Sequence, residues 1–241
     1  MAKKVVFSKD NDKLVVEDTQ DLHTKDGILK KEDLQSGGKA LTNKNVDLYV
    51  TDAFFVDKLL KIKRGPAVMT AKDIGTIISH TGVSSGWKVL DAGTGCGVLA
   101  AYLSNIVGPK GVVVSYEKRK EFLEIAKKNF EMLGVKVDLR NMDVYEGIEE
   151  KDLDLITLDL TEPWRVLEHA YKSLKKGGFL VCYVPTVTQL MEIEKHNDYT
   201  LFFIEETIEV LERKWHVEGL KIRPKNRMLG HTGFLVFMRR I

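Results

Sequence analysis

The chain has 241 residues, 44% of them hydrophobic and 30% charged, with a formal net charge of +2; this is enough to bury a full core and excludes a disordered, fibrous or disulfide-stapled class. No apolar run approaches the roughly 20 residues that span a bilayer, and the start "MAKKVVFSKD" lacks the apolar stretch of a signal peptide, so a cytoplasmic protein with no membrane partner is expected. Cys96 and Cys182 are too few for a disulfide framework and have no metal-ligand spacing, so both are expected to be reduced and no metal is expected.

In chain order, residues 1–62 carry short alternating segments, "KVVFS" and "KLVVED", broken by turn signals at "SKDND", "KDG" and "SGGKA". They predict a small N-terminal β domain. Residues 63–86 read as a linker followed by the helix "TAKDIGTIISHTG". From 87 to 241, apolar runs alternate with amphipathic helical patterns, which predicts an α/β domain with a doubly wound, mostly parallel sheet of seven strands. The strand "WKVLDAG" leads to the helix "VLAAYLSNIVG", the strand "GVVVSYEK" and the helix "RKEFLEIAKKNFEMLG". That last helix places Phe122, Ile125, Phe130 and Leu133 on one face and stops at Gly134. Next come the strands "VKVDLRNMD" and "LDLITLDL", a helix starting at Pro163 in "PWRVLEHAYKSL", and the apolar strand "GFLVCYVP". Extended segments within 204–218 and 233–240 are expected to close the sheet as an antiparallel pair.

Charge is unevenly placed. The last 23 residues, "GLKIRPKNRMLGHTGFLVFMRRI", hold six Lys or Arg and no acid, and "KLLKIKRGP" holds four cations. On charge alone these are either solvated segments or a surface for phosphates.

"LDAGTGCGVL" sets Asp91 and three glycines at the end of the first parallel strand, where ligands of open α/β sheets bind. Gly93, Gly95 and Gly97 alternate and position 98 is Val, so the dinucleotide spacing G-x-G-x-x-G is absent. The alternation resembles the first motif of class I S-adenosylmethionine-dependent methyltransferases, which implies a Rossmann-like methyltransferase fold and a cofactor loop of Asp91, Gly93, Thr94, Gly95, Cys96, Gly97, Val98 and Leu99. Acids recur at the following strand ends. Glu117 is placed to accept both hydroxyls of a ribose, and Asp143, followed by Val144, to accept an adenine amino group. Asp159 ends the fourth strand, where the donor methyl lies in this architecture. Each acid alone is equally well a surface group or helix cap, but Thr161 is an adequate cap for the helix at Pro163, which leaves Asp159 free.

"LDLTEPW", with "AGTGCGVL", "CYVPTVTQ" and "RMLGHTGFLVF", resembles the tRNA adenine-N1 methyltransferases, which modify adenine 58 of the T-loop and, in some archaeal members, adenine 57. The similarity runs nearly the whole chain, with "DLHTKDGIL" in the small domain and "KRGPAVMTAKD" between domains. It implies S-adenosyl-L-methionine as cofactor, tRNA as partner, a homotetramer and no metal. Asp159 is implied as the catalytic carboxylate that stabilises the cationic methylated adenine and contacts the cofactor. Tyr183, Pro185, Thr186 and Gln189, with His231 and Thr232, are implied for the target-base pocket, and the C-terminal basic segment with Arg223 and Arg227 for tRNA phosphates. His231 is as well a structural or phosphate-facing residue. Trp164 is a stacking face or core packing, and Glu162 an acid favouring a helix start. Cys96 stands where the family more often has Ser, and Ala67 and Ala71 where Gln and Pro are expected. Other acceptors (a protein isoaspartyl group or a small metabolite), a non-catalytic tRNA-binding subunit and, against the glycine spacing, a nicotinamide oxidoreductase are the competing readings.

Overall fold

A computed structural model describes residues 3–9, 12–65 and 68–241. The middle of the "SKDND" turn and the substitution at Ala67 lie outside the described residues. The chain divides into two compact units, Met1–Lys63 and Arg64–Ile241.

The first unit holds β1 (Lys3–Phe7), β2 (Lys13–Glu17), β3 (Leu22–Thr24), β4 (Gly27–Leu29), α1 (Lys31–Ser36), β5 (Gly38–Leu41), β6 (Asp47–Asp52) and α2 (Phe55–Lys58). Four strands form an antiparallel sheet in the order β2-β1-β6-β5, and β3 pairs with β4. Val6, Leu29, Leu34, Ala40, Leu48 and Val50 make its core. The short helices α1 and α2 were not foreseen. The six residues of α1 bury only Leu34, and its N-cap residue Lys30 makes no side-chain cap bond, so no periodic or capping signal marks it.

The second unit opens with α3 (Ala71–Thr81), which Gly82 ends in the left-handed region. There follow β7 (Lys88–Ala92), α4 (Val98–Val107), β8 (Val112–Tyr116), α5 (Lys120–Leu133), β9 (Asp138–Arg140), β10 (Leu153–Asp159), α6 (Leu167–Ser173), β11 (Leu174–Val184) and α7 (Val187–His196). The chain closes with β12 (Phe202–Glu209), β13 (Trp215–Glu218), β14 (Lys221–Pro224) and β15 (Phe234–Arg240). Seven strands make one sheet in the order β12-β15-β11-β10-β7-β8-β9. β15 runs antiparallel to both its neighbours, while the pairs from β11 to β9 are parallel. Strand order reverses between β7 and β10, and that switch point is where open sheets leave a crevice. Leu155, Ile156 and Leu158 of β10 and Val89, Leu90 and Ala92 of β7 are all buried. Such strands are covered on both faces, which is why they read as continuous apolar runs. Each fully buried Leu or Ile contributes about 1.5–3 kcal/mol.

Three expectations are corrected here. β9 ends at Arg140, so Asp143 lies beyond the strand end, at the start of a 3₁₀ turn (Val144–Glu146). The chain after Pro163 first makes a 3₁₀ turn (Pro163–Val166), with Glu162 and not Thr161 at the N-cap position. The 204–218 segment is two strands: β12 stops at Glu209, and β13 pairs with β14 in a separate hairpin. Among the described residues no helix is long and apolar enough to cross a membrane, and no group of three or more His, Cys, Asp or Glu is placed to hold a metal ion.

Candidate active site

The glycine loop leaves β7 at the switch point and its spacing is dictated by two close approaches. Gly93 has φ +89°, and a Cβ there would lie 2.1 Å from the carbonyl oxygen of Asp159. Gly97 has φ +86°, and its Cβ would meet the Phe130 ring of α5 at 2.5 Å. Both positions therefore admit only glycine. The loop residues Asp91, Gly93, Thr94, Gly95 and Cys96 border one small cavity with Val98 and Leu99, the first residues of α4, and with Asp159. An adjoining cleft of about 170 Å³ brings Gly93 and Asp159 together with Glu117, Asp143 and Val144. Arg223, on β14, and Arg227, after it, do not line this cleft.

The four acids have different local fates. Asp91 is fully buried beneath the loop, where it accepts hydrogen bonds from Ser115 Oγ at 2.7 Å and Thr157 Oγ1 at 2.9 Å. It ties β7 to β8 and β10. Burial pushes its pKa up to about 6, against the pull of those two hydroxyls. Glu117 accepts from the amides of Gly95 at 2.9 Å and Arg119 at 3.0 Å, and from Arg119 Nε at 3.2 Å. A carboxylate has about four lone-pair positions, so capacity remains for a hydroxyl. Asp143 takes the capping role: Oδ1 accepts from the Tyr145 amide at 3.1 Å. Asp159 alone has no hydrogen-bond donor or ion-pair partner among the described residues. Its carboxylate is open to solvent at the cleft, yet enough protein surrounds it that desolvation, then the charge of Asp91, hold its pKa up at about 7, with Arg119 opposing. An unpaired, easily protonated acid at the switch point is a candidate for chemistry.

Tyr145, Arg119 and Lys118 also line the cleft, and sequence reasoning missed all three. The Arg165 guanidinium lies 4.6 Å and the Lys118 ammonium 5.2 Å from the centre of the Tyr145 ring, whose hydroxyl accepts from the Glu162 amide at 3.1 Å. One aromatic thus joins the cleft wall to the turn after Asp159. Only its place two residues after Asp143 hinted at this. Glu162 pairs with Arg165 at 2.8 Å. Trp164 packs on the core and stacks against His196 at 6.2 Å, which favours packing for this ring. Cys96 and Cys182 are buried thiols, the latter with its pKa pushed up to about 12 by burial.

The expected base-pocket residues gather around the exit of β11. Tyr183 is the register partner of Asp159. Thr186 caps α7 in a reciprocal bond with Gln189, whose Nε2 donates to the Thr161 carbonyl at 2.8 Å. His231 places Nδ1 2.6 Å from Glu209 Oε1 and Nε2 2.7 Å from the Pro185 carbonyl. With both ring nitrogens facing acceptors, the charged imidazolium is favoured and its pKa is raised, chiefly by Glu209. His231 is therefore a clasp, with no free nitrogen to take a proton. Thr232 donates to Asp73, a partner that sequence reasoning missed.

Residues 48–223 match the family described as tRNA methyltransferase complex GCD14 subunit. A relative in Methanocaldococcus jannaschii, tRNA (adenine(57)-N(1)/adenine(58)-N(1))-methyltransferase TrmI, is 35% identical over 242 residues, covering 88% of this chain and 86% of its own. A Thermotoga maritima structure described as a SAM-dependent O-methyltransferase superposes with a TM-score of 0.88 at 29% identity, covering 100% of this chain and 93% of that one. The tRNA (m1A58) methyltransferase TrmI of Aquifex aeolicus does so with a TM-score of 0.80 at 25% identity, over 99% and 96% of the two chains. The glycine loop, the acid at the fourth strand end and this match across most of the chain place the protein in the tRNA methyltransferase complex GCD14 subunit family.

Proposed function

We propose that this protein is a cytoplasmic enzyme that methylates N1 of adenine 58 in tRNA from S-adenosylmethionine, with adenine 57 as a second target, as a homotetramer. The unpaired Asp159 carboxylate beside the glycine loop carries the reading. The names of the Methanocaldococcus and Aquifex relatives support the tRNA acceptor. The site's own chemistry suits the cofactor: Gly95 leaves backbone open to close approach, Glu117 keeps acceptor capacity for a ribose, and Met142 and Val144 offer apolar surface near Asp143 for a base.

When bound, S-adenosylmethionine supplies a methyl group on a cationic sulfonium, an electrophile that the adenine N1 lone pair attacks directly. No base is needed to create that nucleophile, so the protein's tasks are access and charge. Extruding a stacked adenine costs roughly a few kcal/mol. Asp159 stabilises the positive charge that the methylated ring shares with its exocyclic amino group, a charge larger in the transition state than in the substrate. Tyr183, Pro185, Thr186 and Gln189 wall the acceptor side. The Lys and Arg of residues 219–241 and of the 58–66 run, which straddles the two units and includes the undescribed Pro66, give tRNA binding that weakens with salt.

The test is methylation of unmodified tRNA transcripts with adenine 58 or 57 replaced in turn, followed by mapping of 1-methyladenosine. Loss only when both are replaced supports the two-site reading, and no product on any transcript overturns it. A second reading, methyl transfer to an oxygen acceptor, draws on the Thermotoga structure's description as an O-methyltransferase. Base-labile methyl esters on an isoaspartyl peptide would favour it.

A further inference from the structure

β10 ends at Asp159 and the next turn begins at Pro163, so the sheet ladder does not hold residues 160–162. One peptide group in that stretch is held at both ends. The Thr161 carbonyl accepts from Gln189 Nε2 at 2.8 Å, and the Glu162 amide, the other half of the same peptide, donates to the Tyr145 hydroxyl at 3.1 Å. No cis peptide occurs among the described residues, so this C=O and N–H point in opposite directions from one rigid plane. The two side chains grip that plane from opposite flanks of β10. Gln189 stands in the first turn of α7, after the neighbouring strand β11, whereas Tyr145 follows β9 at the far edge of the sheet and lines the cofactor cleft.

Both grips are themselves fixed. The Gln189 amide has one orientation that suits its surroundings: Oε1 accepts from the Thr186 amide at 3.2 Å and the Thr186 hydroxyl at 2.7 Å, which leaves Nε2 for the Thr161 carbonyl. The Arg165 guanidinium lies 4.6 Å from the centre of the Tyr145 ring and pairs with the Glu162 carboxylate at 2.8 Å, so the residue that donates to the phenol also steadies the ring. A phenylalanine would supply the same ring and leave the Glu162 amide without its acceptor. Upstream, the Asp159 carbonyl lies against Gly93. Two residues, about 7 Å of chain at most, separate the gripped plane from Asp159. A plane held at one end swivels about its remaining hydrogen bond, and one held at both ends does not.

Resting on the role of Asp159 given above, we propose that Tyr145 and Gln189 form a single positioning device, which clamps the Thr161–Glu162 peptide from the cofactor side and the acceptor side and so fixes Asp159 between them. Both are positioning residues, acting through the peptide. Gln189 is then a brace of the acceptor wall, and the Tyr145 hydroxyl has a task beyond lining the cleft.

The test is a double-mutant cycle in the full chain with Tyr145→Phe and Gln189→Met. Each single variant lowers the single-turnover methylation constant at saturating tRNA and S-adenosylmethionine by about fivefold or more, and the double variant stays within about twofold of the worse single one, because either loss already frees the plane. Losses that multiply in the double variant overturn the device, as does a single variant within twofold of wild type. S-adenosylmethionine affinity, by calorimetry, stays within twofold throughout; a fall in Tyr145→Phe that matches its rate loss assigns the hydroxyl to the cofactor and also overturns the device. A second readout needs no tRNA. Hydrogen exchange of the Glu162 amide, resolved by mass spectrometry with electron-transfer fragmentation, becomes about tenfold faster or more in Tyr145→Phe, which removes its acceptor, and also in Gln189→Met, whose side chain bonds the carbonyl and not that amide. Gln189→Glu keeps an oxygen for Thr186 and loses the N–H to Thr161, so it exchanges like Gln189→Met. A Glu162 amide as slow as wild type in Gln189→Met, or restored in Gln189→Glu, overturns the device whether or not tRNA proves to be the acceptor. A wild-type protein inactive on all tRNA, with the expected exchange rates, overturns the acceptor reading and upholds the grip on the peptide.

Discussion

The carbonyl oxygen of Asp159 occupies the place where residue 93 would carry a Cβ, 2.1 Å away. The glycine loop and the end of β10 are therefore one packed contact, and neither moves alone. Gly93→Ala adds a methyl there and a side chain at φ +89°, a conformation costing about 1–2 kcal/mol for a non-glycine residue before any clash. Thermal midpoint and S-adenosylmethionine affinity are expected to fall together, the latter at least tenfold by calorimetry. Unchanged affinity would show that the strand end and the loop are independent.

Asp159 titrates in the working range. Its pKa of about 7 is raised by desolvation and by the nearby Asp91 charge, so below neutrality the protonated, uncharged form dominates. On the proposed mechanism the cationic transition state requires the ionised form, so the single-turnover rate is expected to rise with pH through about 7 and then level. Asp159→Asn removes that limb and lowers the plateau by about 10² or more, by analogy with deleting one electrostatic stabiliser. A rate profile of the same shape in Asp159→Asn rules out this group as its source.

Asp91 links pH to stability with a definite sign. Its pKa rises from 3.8 unfolded to about 6 folded, so the folded state holds its proton more tightly. Stability falls as pH rises from about 4 to about 6, and the deficit persists above that window, on the order of 3 kcal/mol for a shift of about two units. Urea unfolding of wild type and Asp91→Asn near pH 4.5 and near pH 7.5 measures it. The wild type should lose ground relative to the variant at the higher pH, and a constant difference between the two proteins removes Asp91 as the cause.

Trp164 is expected to matter for folding and not for turnover, because its ring packs on the core and stacks on His196. Trp164→Leu lowers unfolding free energy by about 1–3 kcal/mol and leaves kcat and tRNA affinity within twofold. A tenfold loss of kcat at full cofactor occupancy would move the ring to the acceptor side.

The sheet was legible because buried parallel strands are continuous apolar runs that must end in polar residues where they meet solvent, as "LITLDL" does at Asp159. The alternating glycines were legible as a loop, but the contacts that demand them, the Asp159 carbonyl and the Phe130 ring, are made by residues far along the chain. Asp143 shows the limit of reading acids by position, since nothing local separates a strand-end acid from the cap of a 3₁₀ turn. β13 and β14 expose Trp215, Val217 and Ile222, so no inward apolar face marked them as a hairpin apart from the main sheet. Lys72 and Asp73 look like ordinary charges in a helix's first turn. Only the loop around Thr232, some 160 residues away in sequence, reveals what they hold.

Tyr145 bears on how the cleft can be re-engineered. Its ring walls the cavity while its hydroxyl anchors the Glu162 amide. Shortening it to admit a bulkier cofactor analogue enlarges the space and frees the chain three residues beyond Asp159 in the same stroke. Met142 borders the same cleft, and its flexible thioether repacks readily, so room for a larger donor is better made there.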